Sequence, residues 1–146
     1  MKCLVLAAGK PALAYAKAGI AEYLKRLSRY GGVDLVYVKD GAAEAVSARL
    51  LEKSKGCLRI ALDERGASPT TREWAAQFEE WALRGEAKRV AFLVGASEGH
   101  SEGLRQECDL VWSLSALTLQ HELALLVLLE QLYRVQTLRR GEPYHR

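Results

Sequence analysis

Five short apolar runs, kept apart by segments with helical spacing, set the limits on how this chain can fold. The runs are residues 3–8, 33–38, 57–62, 90–94 and 110–112. None is long enough for more than one strand; residues 3–8 read as a buried strand, 90–94 as a flat apolar one, and the other three as strands beside them. Between them, residues 12–30 place Ile20, Leu24 and Leu27 at three- and four-residue steps before Gly31-Gly32. Residues 42–55 separate Ala45, Val46, Arg49, Leu50 and Lys53 into an apolar and a charged side. Residues 71–83 form a third helix, opened by Thr70 or Thr71, with Trp74, Phe78 and Trp81 as a core stripe at i, i+4 and i+7. Residues 104–107 make a helical turn at most, and residues 121–138 the last helix. Segments 63–69, 95–103 and 114–120 read as loops, and 139–146 as a tail.

Strands alternating with helices predict an α/β fold: a mostly parallel sheet with helices on both faces. At 146 residues the chain is expected to be one domain, residues 1–146. From Leu123 to Leu129 the final helix is apolar on nearly every side. The sheet covers one face, and a second subunit is the expected cover for the other.

Several function classes are excluded early. The longest apolar run has seven residues, whereas a membrane span needs about 20. Met1-Lys2-Cys3-Leu4 enters a strand directly, without the layout of a signal peptide. Cys3, Cys57 and Cys108 are odd in number, lack a CxxC spacing, and fit a reducing cytoplasm better than a disulfide framework. No HExxH or paired Cys/His spacing offers a metal site. The net charge of +3 hides a basic start (+5 over residues 1–30), an acidic middle (−5 over 31–133) and a basic end (+3 over 134–146). Basic ends of this kind suit phosphate, but charge alone favours the plainer account, solvated helix faces and a loose basic tail.

Open α/β sheets bind ligands at the carboxyl ends of their strands. Two unusual loops sit at such ends. Gly95-Ala96-Ser97-Glu98-Gly99 is neither GxGxxG nor a P-loop, but it follows the fourth strand. Leu114-Ser115-Ala116-Leu117-Thr118-Leu119 is apolar with two hydroxyls, a composition that can wrap an adenine, or else pack as a buried loop whose Ser and Thr cap the next helix. His121, at the start of that helix, reads as structural. At the terminus, Pro143-Tyr144-His145-Arg146 combines a stacking ring, an imidazole and a guanidinium, a set suited to a nucleobase and its phosphate.

Taken in order, the segments Val94-Gly95-Ala96-Ser97-Glu98-Gly99, Trp112-Ser113 through Gln120-His121, Glu130-Gln131-Leu132-Tyr133-Arg134 and Pro143-Tyr144-His145 resemble the ribosomal large subunit pseudouridine N3-methyltransferases, the RlmH family of the SPOUT class. Tyr23-Leu24-Lys25-Arg26 and Leu62-Asp63 extend the resemblance over the whole chain. The resemblance implies a SPOUT-type fold with a C-terminal trefoil knot and a homodimer without membrane or metal. The implied cofactor is S-adenosylmethionine, held largely by backbone at Leu62, Gly95, Leu114, Ser115, Ala116, Leu117, Thr118 and Leu119. The implied substrate is a pseudouridine of 23S rRNA in the assembled ribosome. Three positions depart from the family pattern: Ala96 for a second Gly, Gln120 for a Pro, and Leu125 for an Arg. The second alters how the last helix begins, and the third removes a cation expected near the dimer or substrate surface.

Methyl transfer to N3 requires that nitrogen to lose its proton, and an imidazole is suited to accept it near neutral pH. His145 is the candidate base, with Arg134 or Arg146 stabilising the anionic ring and Tyr144 stacking on it. Arg139, Arg140 and Arg146 are the candidate rRNA contacts. Two other readings compete. A Rossmann-like oxidoreductase needs an early GxGxxG, and only Gly9, with Asp40 later, is present. A non-catalytic RNA- or ribosome-binding dimer keeps the basic ends but needs no methyl donor.

Overall fold

The computed structural model describes residues 1–85 and 88–146. Its strands are β1 (Lys2–Ala8), β2 (Asp34–Val38), β3 (Leu58–Ala67), β4 (Arg89–Val94) and β5 (Leu110–Trp112). Its helices are α1 (Ala14–Leu27), α2 (Ala43–Lys53), α3 (Thr71–Arg84), α4 (Glu102–Glu107) and α5 (His121–Arg139). The strands form one sheet in the order β2-β1-β4-β3-β5, and every pairing is parallel. Register across the three central strands aligns Val5, Phe92 and Ile60 on one face and Leu6, Leu93 and Ala61 on the other. The first face carries α1, α3 and α5, while Leu50 of α2 and Leu104 of α4 pack on the second. The expected two-faced α/β architecture is therefore present.

Trp74, Phe78 and Trp81 are core residues, as their spacing predicts. Trp74 lies 5.8 Å from Phe92 and 4.8 Å from Trp112, ring centre to ring centre. A capping box of Thr70 and Glu73 starts α3, and Gly85, with φ 62°, ends it. Helix α1 is shorter than expected. It begins at Ala14, stops at Leu27, and closes through one 3₁₀ turn onto Gly31 at φ 92°. Its N-terminus has no local side-chain cap. Instead Glu122 Oε1, from the start of α5, accepts from Ala12 N–H at 2.7 Å and Leu13 N–H at 3.0 Å.

Three segments correct the expectations. Residues 63–69 do not form a simple loop, because β3 continues to Ala67 through an irregularity at which Leu62 and Ala67 both pair with Trp112. Gly66 makes this possible, since a Cβ there would overlap the Val111 carbonyl. The turn near residue 104 is a six-residue helix, capped by Ser101 Oγ accepting from Leu104 N–H. The tail is not loose. Helix α5 continues to Arg139, Gly141 (φ 67°) reverses the chain, and Tyr144 packs edge-on against Tyr133 at 4.7 Å.

Helix α5 packs against α1, α3 and the sheet, so its own chain covers more of it than composition implied. Leu125, Leu128, Leu129, Leu132 and Val135 are buried, while Leu123, Leu126 and Val127 remain partly exposed. Leu125 is 3% exposed. The departure from the family pattern at that position therefore adds a leucine to this chain's core.

Candidate functional site

A cavity of about 490 Å³ opens at the carboxyl ends of β3, β4 and β5, which are adjacent in the sheet. Its walls are the exit of β3, the loop of residues 94–99, the loop of residues 113–119 and the first turn of α5. This volume falls within the roughly 300–1,000 Å³ of small-molecule sites.

Each wall has a local cause. In the 113–119 loop, hydroxyls bend the backbone: Ser113 Oγ donates to the Ser115 carbonyl at 2.7 Å, and Ser115 Oγ accepts from Leu117 N–H at 3.0 Å. Thr118 Oγ1 donates to Glu64 Oε2 at 2.7 Å, which ties this loop to β3 across the cavity. Neither Ser nor Thr caps α5. Gln120 does so, its Oε1 accepting from Glu122 N–H at 2.9 Å and Leu123 N–H at 3.0 Å. The Gln departure thus replaces a proline with a side-chain cap, and the helix begins in register with His121.

The 94–99 loop closes on itself. Gly99 N–H donates to the Ala96 carbonyl at 2.9 Å, and a Cβ at Gly95 would lie 3.1 Å from the Gly99 carbonyl carbon. Gly95 is thus a point of close backbone approach. Ala96 points into the second core, where its methyl is accommodated.

Asp63, Glu64 and Glu98 give the cavity an acidic rim, with Arg65 as its cation. The Asp63 side chain is only 4% exposed. Arg65 holds it through Nε and Nη2, both at 2.8 Å, and through its backbone N–H at 2.9 Å. Burial alone would raise the Asp63 pKa, but these hydrogen bonds outweigh burial and keep the carboxyl below its usual range. Asp63 is thus engaged in fixing Arg65 at the rim, while Glu64 and Glu98 beside apolar Leu62, Leu114 and Leu119 make a cavity that is apolar inside and acidic at its edge. Among the described residues no cluster of three or more His, Cys, Asp or Glu side chains could hold a metal, and no helix is long and apolar enough to cross a membrane.

Of the predicted cofactor residues, Leu62, Gly95, Leu114, Ser115, Leu117, Thr118 and Leu119 line this cavity. Ala116 shares the loop without lining it. Asp63, Arg65, Glu98 and His121 also line it; strand-end position was the signal that pointed to Asp63.

The predicted catalytic trio lies elsewhere. Arg134 stands thirteen residues beyond His121 on α5, about 20 Å along the helix axis. Its guanidinium covers the Tyr144 ring at 4.7 Å, donates to Glu130 at 3.0 Å, and sits 3.3 Å from His145 Nδ1. Burial and then a hydrogen bond with Tyr23 raise the Tyr144 pKa to about 12. Tyr144 is therefore a neutral ring and not a base. Arg139 is engaged by Glu79 and Gln136, and Arg140 covers Tyr30 at 4.9 Å. Arg146 ends the chain, exposed. One chain thus brings its cofactor candidates together in one place and its catalytic candidates together in another.

Comparison with known proteins gives this arrangement a family. The model described as "Predicted SPOUT methyltransferase" matches residues 1–145. A Thermus thermophilus protein named Ribosomal RNA large subunit methyltransferase H is 53% identical over 146 residues, spanning 100% of this chain and 99% of the relative. The Deinococcus radiodurans protein of that name is 40% identical over 146 residues, with the same coverage. Among solved structures, a probable methyltransferase from Bordetella pertussis Tohama I superposes with a TM-score of 0.63 at 18% identity, covering 92% of this chain and 93% of that one. The parallel sheet, the site loops at its carboxyl edge and a match over nearly every residue lead to one conclusion: the chain belongs to the SPOUT methyltransferase family.

Proposed function

We propose that this protein, a single domain over residues 1–146, transfers the methyl group of S-adenosylmethionine to N3 of a pseudouridine in 23S rRNA of the assembled ribosome. It does so as a cytoplasmic homodimer. The observation that carries the reading is the full-length match at 53% identity to a large-subunit rRNA methyltransferase, joined to a cavity that seven of the eight predicted cofactor residues line. The same reading takes the loops around the cavity as those of a trefoil knot. The strand order supports this, with β4 inserted between β1 and β3 and the chain then returning to the far side of β3.

Bound S-adenosylmethionine supplies an electrophilic methyl on a sulfonium, so the protein's task is alignment and proton removal. Leu62, Leu114 and Leu119 offer apolar walls for the adenine, and the exposed Glu98 of the acidic rim is the carboxylate for the cationic end. On the substrate side, Arg134 is always a donor, so its contact makes His145 Nδ1 the ring's lone-pair nitrogen. The proton leaving N3 is accepted there. Protonation ends the Arg134 hydrogen bond and frees the guanidinium for the anionic base ring. Tyr144 stacks on that ring, and Arg139, Arg140 and Arg146 contact rRNA phosphates.

Because Arg134, with Tyr144 and His145 against it, stands ten residues beyond the cavity-lining Ala124, about 15 Å along the helix axis, the tail of one subunit serves the cavity of the other. The partly exposed Leu123 and Val127 of α5 are the surface for that pairing. Leu129 is fully buried within its own chain, and Leu126 fills the space at Gly19, so neither isolates the interface. Leu123→Glu combined with Val127→Glu is expected to give a folded monomer in sedimentation. A wild-type protein that is already monomeric at micromolar concentration would refute the shared site.

The deciding experiment is labelled methyl transfer to 70S ribosomes from a strain lacking this modification. Donor binding by calorimetry without any transfer would favour the second reading, a ribosome-binding dimer without catalysis.

A further inference from the structure

Against the 94–99 loop, and not among the residues that line the cavity, lies an imidazole that the reaction does not use. His100 is only 4% exposed. Its Nε2 lies 2.8 Å from the Leu93 carbonyl oxygen, an acceptor, so Nε2 carries the hydrogen and donates it. Nδ1 is then the lone-pair nitrogen. It is buried and has no hydrogen-bond partner among the described residues. The ring carbon between the two nitrogens lies 3.3 Å from the place where a Gly95 Cβ would stand, so the imidazole edge backs the residue at which the chain leaves β4. The backbone at the ring is also fixed: the His100 carbonyl accepts from Arg65 Nη2 at 3.3 Å, and the next residue's N–H, that of Ser101, donates to Ser47 Oγ at 3.1 Å. The ring is thus a strut between Leu93 of β4 and the glycine that opens the loop.

We propose that His100 is a positioning residue for the methyl donor: its neutral ring holds the 94–99 loop in the shape that frames the cavity, and protonation of Nδ1 releases it. The inference rests on the donor-site reading above. A proton on Nδ1 would place a charge in a buried spot that offers it no acceptor, and the cheapest relief is for the loop to lift and admit water. The charged groups facing the ring are Asp63 and Arg65 from β3 and Arg105 from α4. Burial lowers the His100 pKa below the ordinary imidazole value. The Leu93 hydrogen bond and Asp63 oppose that shift, while Arg65 and Arg105 add to it. The ring is therefore neutral at pH 7–8 and takes up its proton as pH falls below about 6.5 toward its lowered value. Donor affinity follows the same direction, full at neutral pH and lost on acidification. The steepest dependence a single proton allows is about tenfold per pH unit.

The test is S-adenosylmethionine binding by calorimetry between pH 5.5 and 7.5, on wild-type protein, His100→Gln and His100→Ala. Glutamine places an amide N–H where Nε2–H stands and does not titrate. The wild-type Kd is expected to rise several-fold toward pH 5.5 with the fold intact by circular dichroism. The Gln variant should lose that slope, and the Ala variant should bind more weakly than the Gln variant at every pH. A Gln variant with the wild-type slope, or an Ala variant binding as tightly as wild type, would overturn the proposal. Nitrogen-15 spectra of the imidazoles read the tautomer directly: Nε2–H on His100 at pH 7.5 is expected, and Nδ1–H overturns the proposal whatever the binding shows. Failure of wild-type protein to bind the donor at any pH would instead count against the donor site itself.

Discussion

Gly66→Ala is expected to cost at least the upper end of the ~1–3 kcal/mol typical of an overpacked interior, lowering the melting temperature by roughly 6–12 °C. At most sites this would be a mild change. At Gly66, which is not in the left-handed region, the added methyl has nowhere to go, because the atoms it meets are the backbone carbonyl of Val111 and the amide nitrogen of Trp112. Backbone in a paired strand does not swing aside as a flexible side chain would. Relief would require β3 and β5 to separate at the point where Leu62 and Ala67 both pair with Trp112. That would also loosen the stacking of Trp112 on Trp74 and Trp81. Gly66→Val should leave little folded protein. Thermal unfolding checks both, and a Gly66→Ala protein melting within about two degrees of wild type, well short of the shift expected for overpacking, would mean that β3 does not lie on Val111 as described.

Removal of residues 141–146 is expected to abolish methyl transfer to ribosomes while donor binding and the fold survive. The deleted segment contributes nothing to the buried core or to the cavity lining. What it does contribute is the Tyr144 ring under Arg134, the His145 nitrogen beside that guanidinium, and Glu142, which accepts from Tyr30 at 2.9 Å. Loss of these surface contacts should cost little stability. Loss of a positioned base should cost ~10²–10⁴ in rate, and His145→Ala alone should show most of it. Tyr144→Ala should lose the ~1–3 kcal/mol of a stacked base. Transfer rates on 70S ribosomes, set beside donor calorimetry on the same preparations, separate the two sites. Full methylation by the truncated protein would return the base to His121, which lines the cavity.

Legibility in the sequence followed the range of the interaction. Periodicity marked the Trp74, Phe78 and Trp81 stripe because packing repeats along a helix. Strand-end position marked Gly95 and the 114–119 loop because a parallel sheet presents its ligands at one edge. Two ties leave no local signal because each joins residues far apart: Glu122 to the start of α1, and Thr118 to Glu64 across the cavity. Segment 63–69 looked like a loop because it is polar. It is a strand because one glycine lets it lie against Val111. The tail looked loose by composition, and it is docked because Tyr23, Tyr30 and Tyr133 form the bed on which it closes. Leu125 looked like a missing surface charge, since nothing local shows which side of so apolar a helix faces inward.

The strand order also governs when this protein can fold. The first strand borders the second, but its other neighbour is β4, and the register pairs Lys2 with Arg89. The N-terminus of the first helix waits longer still, for Glu122. A nascent chain emerging from its first residue onward can therefore form little of its core until most of it has left the exit tunnel. Folding should start late and proceed slowly for a chain of this length, since loops of this span must close before their contacts can form. During that interval the apolar strands lack partners, and the chain is at its most prone to aggregate.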